Sequence, residues 1–230
     1  SNPRIFRMPV DSSGTIKEIY VAVMGGGMGV AGSGSNVFIV NMEDSGSIVG
    51  SGENIGPIDI IDIEGNGIAN SVPNDPIVIT PDTALGIPWK GAMVYVNDLE
   101  GKITKINLTD SKVNDAELYD QTTLFSLNSS TTNGRYSYFS MDAAFGGDTN
   151  QIWLFGGTGN FERINNTFDE TPNMDNILFG IKDKDYPHFK FTNNKTIPKQ
   201  KTAGWRNLAK ENFLSANNID DEDICKNTTE

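Results

Sequence analysis

The sequence predicts an all-β chain and, within that class, an irregular (modified) β-propeller fragment of about four to five blades, at ~40–50 residues per blade. Three observations carry this. Short β-branched runs stop at glycine pairs or triplets, as Ile19–Met24 does at Gly25–Gly27 and Ile152–Phe155 at Gly156–Gly157. A hairpin grammar then recurs, in VFIVNMEDSG, MVYVNDLEG and ILFGIKD. No helical periodicity is sustained before residue 200, and 24 glycines favour tight turns over long helices. A unit of two or three hairpin strands cannot bury both faces alone, so neighbouring units must stack.

Taken in order, Ile19–Met24 is a strand, and Gly25–Gly34 reads as a flexible, mobile connection between antiparallel strands. Val37–Val49 reads as strand, polar turn at Asp44–Gly46 and second strand. Met93–Leu108 repeats that pattern, with its turn at Asp98–Gly101. Its second arm alternates only loosely, as an edge or half-buried strand would. Ile152–Phe155 and Ile177–Asp183 form a third unit. Residues 1–200 are thus assigned to blades and 201–230 to a C-terminal segment. In that segment Trp205, Leu208, Ala209 and Phe213 predict a short helix, followed by an acidic tail at Asp220–Asp223.

The net charge of −12 repels phosphate backbones and argues against a nucleic-acid partner. It leaves divalent cations as natural guests, although carboxylates at this density also serve solubility. Cys225 is the only cysteine, so neither a disulfide within the chain nor a cysteine-based zinc site can form. No apolar run approaches the ~20 residues that span a bilayer.

Gly27, Gly29 and Gly32 spell a dinucleotide-type GxGxxG after a strand. A nucleotide site needs that loop to open a helix. Here Ser33–Asn36 and another β-branched strand follow, so a glycine hairpin loop is the better account. Asp62, Glu64, Asn66 and Asn70 stand at positions one, three, five and nine of a loop with Gly67 at six. That is an EF-type order for Ca²⁺, in which alternating oxygens wrap a hard cation and glycine permits the sharp turn; Ile68 would add a backbone carbonyl. The plainer alternative is a polar Asx/Gly turn between strands. His188, the sole histidine, lies at a turn and reads as a surface residue, and GxSxG, HExxH and Walker patterns are absent. Trp89, Trp153 and Trp205 read as blade or lid packing.

The strings SVPNDPIVIT, KGAMVYVNDLEGKITKINL, QIWLFGGTGN and NILFGIKD, in this order, resemble the PilC/PilY family of type IV pilus tip and biogenesis factors. IYVAVMGGGMG followed by SNVFIVNMEDSGSIV is similar to that family's glycine-triplet strand and hairpin, so the resemblance covers residues 19–183. It implies a C-terminal β-propeller at the pilus tip, following an adhesive N-terminal region. It also implies a non-enzymatic role in pilus assembly and adhesion, modulated by calcium. The implied partners are minor pilins or the tip complex, and a host or abiotic surface. The implied location is extracellular at the pilus tip or cell surface, and periplasmic during assembly. Asp62, Glu64, Asn66 and Asn70 fit the family's calcium-ligand positions, but the family's loop runs straight into its strand. Here MVYVND stands over twenty residues downstream. A quinoprotein-like dehydrogenase or a periplasmic propeller scaffold are the alternative readings, since both use similar hairpins.

Overall fold

The computed structural model describes residues 1–12, 15–29, 34–44, 46, 57–63, 65–81, 85–112, 116–127, 129–131, 134–145, 151–159, 176–189 and 213–215. These form twelve strands in three four-stranded antiparallel sheets, each built from a contiguous stretch of chain. Sheet 1 comprises β1 (Arg4–Ser12), β2 (Thr15–Gly25), β3 (Asn36–Asn41) and β4 (Ile58–Asp59). Sheet 2 comprises β5 (Ile77–Ile79), β6 (Gly91–Asn97), β7 (Lys102–Thr109) and β8 (Gln121–Ser126). Sheet 3 comprises β9 (Asp142–Phe145), β10 (Ile152–Gly157), β11 (Leu178–Asp183) and β12 (Phe213–Ser215). Within each sheet every strand pairs with the next in sequence, which makes three successive meanders.

The all-β expectation holds. The described residues give three sheets where four to five blades were expected. The sheets run over residues 4–59, 77–126 and 142–215, at or above the ~40–50 residues of a usual blade. The second arm expected at 47–49 lies outside the described residues, and β3 pairs instead with β4. The helix expected over Trp205–Phe213 also lies outside them except at Phe213, which belongs to β12.

Alternation decides how the sheets stack. Ala92, Val94 and Val96 of β6, with Ile106 and Leu108 of β7, pack against Phe6, Met8, Val21, Val23, Val37 and Ile39 of sheet 1. The intervening Met93, Tyr95 and Ile103 pack the other way, on Ile152, Leu154, Phe179 and Ile181 of sheet 3. Each such side chain stabilises the fold by roughly 1.5–3 kcal/mol when fully buried. Sheet 2 is therefore covered on both faces, and every residue of β6 and β7 is buried. This corrects the half-buried reading of β7. Its loose alternation reflects polar side chains that face a neighbouring sheet, each needing a partner inside the protein. Sheets 1 and 3 each keep an outer face, with Ile5 and Tyr20 exposed on one and Phe155 and Leu178 on the other.

The glycine loop after β2 owes part of its composition to close packing. A Cβ on Gly25 would stand 2.4 Å from the carbonyl oxygen of Val72. Gly27 N donates to that same oxygen at 2.9 Å, and Val72 N donates to Gly34 O at 2.9 Å. At Gly25 and Gly34 the backbones run too close for a side chain, whereas at Gly27 the glycine supplies the positive φ of +90°.

Candidate functional site

The ionisable groups of the interior gather around two lysines of β7. Lys102 begins the strand, immediately after the tight turn in which Gly101 N donates to Asp98 O at 2.9 Å. Gly101 has φ +69°, and a Cβ there would meet Ser129 Oγ at 2.4 Å, so glycine is required on both counts. That turn brings Asp98, Glu100 and Lys102 together, with the ammonium 3.0 Å from Asp98 Oδ2 and 3.3 Å from Glu100 Oε2. All three are buried. Lys102 Nζ also donates to the carbonyl oxygen of Ile61, in the segment that follows β4.

Glu100 is the point on which that segment converges. Ile63 N lies 3.2 Å from Glu100 Oε1 and 3.0 Å from Oε2, and Asn66 Nδ2 donates to Oε1 at 2.7 Å. Burial pushes the Glu100 carboxyl up to about 7; the neighbouring Asp98 charge and a hydrogen bond with Asp62 push the same way, against Lys102 and Ile63 N–H. Burial likewise raises Asp98 to about 6, opposed by Lys102. Two carboxylates share one ammonium here, so these groups can take up and release protons near neutrality.

Lys105, on the face of β7 towards sheet 3, lies 2.6 Å from Asp183 Oδ2 of β11 and donates to His188 O at 2.6 Å. Tyr95 Oη donates to the same Asp183 oxygen at 2.7 Å. Asp185 N and Tyr186 N approach Asp183 Oδ1 at 3.0 and 3.3 Å. Tyr95, Lys105 and Asp183 have no solvent exposure at all. Burial first, then the Asp183 charge and hydrogen bond, push the Tyr95 hydroxyl well above its usual range.

Of the residues expected to hold Ca²⁺, the structure describes Asp62, Asn66, Ile68 and Asn70; Glu64 lies outside the described residues. Asp62 is exposed, and its carboxyl stands near enough to Glu100 to push that carboxyl up. Asn66 Oδ1 accepts from Ile68 N at 2.9 Å, which closes an Asx turn. Asn70 is buried, and its Nδ2 donates to Ile60 O at 2.6 Å. Both ends of the Asn66 amide and the donor end of Asn70 are thus engaged within the protein, and a cation at Glu100 would meet the Lys102 ammonium. The described donor set does not fit calcium. Among the described residues no group of three or more His, Cys, Asp or Glu side chains could hold a metal ion.

His188 does sit in a turn, where its N–H donates to Asp185 O at 2.7 Å, and its carbonyl is the acceptor for Lys105. Trp89 is buried as packing, edge-on to Tyr186, with Nε1 donating to Pro187 O at 2.8 Å. Trp153 instead lies half-buried, side by side with Phe155 at 14° between ring planes, under the Lys182 ammonium. Asp98, Glu100, Lys102, Lys105 and Asp183 were not singled out from sequence. Their signal was the period-two spacing of Asp98, Glu100 and Lys102, and a lysine lying between Ile103 and Ile106 within a strand.

Comparison with family models, curated proteins and solved structures returns no match to this chain. No helix among the described residues is long and apolar enough to cross a membrane.

Proposed function

We propose that the chain is part of a non-enzymatic β-propeller that acts in type IV pilus assembly and tip adhesion at a bacterial surface. Its three meanders are read as consecutive blades. The observation that carries this reading is the stack itself: four-stranded antiparallel sheets succeed one another in chain order, face to face, with the middle one covered on both sides. A propeller repeats that unit around an axis. The pilus assignment is supported by the ordered strings from IYVAVMGGGMG to NILFGIKD, three of which form the β6–β7 and β10–β11 pairs. Minor pilins, the tip complex, and a host or abiotic surface are the partners in this reading. Calcium modulation is not part of it.

The test is genetic and biochemical. Deleting the gene in its own bacterium is expected to reduce surface pili, twitching and attachment, and the tagged protein is expected to co-purify minor pilins. Normal piliation, twitching and attachment in the deletion strain, with no pilin recovered, would refute the proposal.

A further inference from the structure

We propose that Lys102 is the built-in cation of the 60–70 loop, so that the loop closes on the β6–β7 hairpin without calcium. This does not depend on the pilus reading. It follows from the direction of the hydrogen bonds. A calcium loop turns oxygens inward, so that six to eight of them meet the ion. At Glu100 this loop turns two donors inward among its described residues, alongside the Asp62 carboxyl. Ile63 N and Asn66 Nδ2 both point at the Glu100 carboxylate, which is the polarity of an anion cradle.

The orientation of the Asn66 amide is fixed from its other side. Its Oδ1 accepts from Ile68 N, so reversing the amide would set an N–H₂ group against that N–H and an oxygen against Glu100. Asn70 points its own donor at Ile60 O and cannot turn outward without leaving a buried carbonyl without that bond.

Ile61 O of this segment meets a positive charge, and that charge is the Lys102 ammonium. Lys102 joins this carbonyl to Asp98 and Glu100, so it links loop and hairpin as a bridging ion would. A divalent ion added at the same carboxylates would face the ammonium at contact distance in a buried setting, where like charges repel most strongly. The tether also removes dependence on concentration. A bound ion stabilises according to its free level, whereas a covalently attached ammonium is always present.

Thermal unfolding of this chain, with chelator and with CaCl₂ up to about 10 mM, tests the proposal at the affinities expected of extracellular calcium loops. A magnesium arm controls for ionic strength. The wild-type melting temperature is expected to be the same in all arms. A dose-dependent rise with calcium that Asp62→Ala removes would overturn the proposal. Asn66→Asp separates the two geometries further, because it adds a carboxylate at loop position five. In a calcium loop that change strengthens the calcium response. Here it deletes a donor to Glu100 and adds a like charge, so melting should fall by roughly 4–10 °C, with or without calcium. Recovery of this variant by calcium would overturn the proposal. Lys102→Met is expected to melt lower still or not to fold, and wild-type melting of that variant would equally refute it.

Discussion

The two junctions of the central sheet use the same device differently. At the junction with sheet 1, Lys102 pairs with carboxylates of its own hairpin, Asp98 and Glu100, and the neighbouring segment bonds to them through neutral groups, Ile61 O, Ile63 N and the Asn66 amide, with the exposed Asp62 carboxyl beside Glu100. At the junction with sheet 3, Lys105 pairs across the gap with Asp183, and the neighbour supplies the charge itself. The first cluster carries one carboxylate too many for its ammonium, while the second is balanced one to one. The difference shows that a buried charge can join layers in two ways: as a unit paired within its own hairpin that the neighbour docks on, or as a pair completed only when the layers meet. Removing one carboxylate of a completed pair leaves an uncompensated ammonium in the interior, whereas removing one of the two carboxylates around Lys102 leaves the other to balance it and mainly shifts protonation.

Among carboxylate replacements the largest expected effect is therefore at the second junction. Asp183→Ala leaves Lys105 buried without its counter-charge and should cost about 3–5 kcal/mol in urea unfolding. Joint replacement, Lys105→Met with Asp183→Leu, should recover part of that loss, because two apolar side chains leave no stranded charge. A double variant as unstable as Asp183→Ala alone would mean that hydrogen bonds to Asp185 N, Tyr186 N and His188 O matter more than the pair.

The first junction predicts a pH dependence with a definite sign. Glu100 and Asp98 bind their protons more tightly folded than unfolded, at about 7 and about 6. The folded chain thus holds more protons between the ordinary carboxylate range and neutrality, and this contribution is lost as pH rises through about 6 and about 7. Stability should fall by about 2–3 kcal/mol from about pH 5 to about pH 8, measured by urea midpoint. Glu100→Gln should remove most of that slope. An unchanged slope in the variant would place its origin elsewhere.

The smallest effect refines the comparison. Tyr95→Phe removes one hydrogen bond to Asp183 and keeps the ring, so it should cost about 1.5 kcal/mol. A much larger loss would show that the hydroxyl orders the whole Lys105 cluster.

Much of the fold could be read from the chain because strand and turn signals agreed. The β6–β7 hairpin announced itself by an apolar run, a polar turn and Gly101. β1 was missed although Phe6 and Met8 alternate correctly, because Pro9 interrupts the pattern; at a sheet edge proline costs little. The short β9 and β12 had too few residues for any period to show. The burial of β7 was hidden for another reason: a lysine or threonine facing a second sheet looks in sequence like one facing water. The calcium reading of the 62–70 loop rests on a spacing that is chemically ambiguous. Asparagine carries both an acceptor and a donor, so a spacing of Asp, Glu and Asn cannot say whether oxygens wrap a cation or N–H groups wrap a carboxylate.

The meander topology also sets an order of assembly. By the time residue 109 has left the ribosome, Ile61, Asp98, Glu100 and Lys102 are all present, and the longest loop to be closed spans 41 residues. Lys105 is synthesised next to them, yet its carbonyl partner lies 83 residues further on. Closing the shorter loop costs less chain entropy, so the first junction should form early and hold sheets 1 and 2 as one folding unit. In that interval the face of sheet 2 that bears Lys105 and Tyr95 is still open, and the ammonium remains hydrated until β11 arrives. Pulse-labelled hydrogen exchange should accordingly find the Ile63 amide protected before those of Asp185 and Tyr186, giving a chain that must emerge from amino to carboxyl end a folding sequence to match.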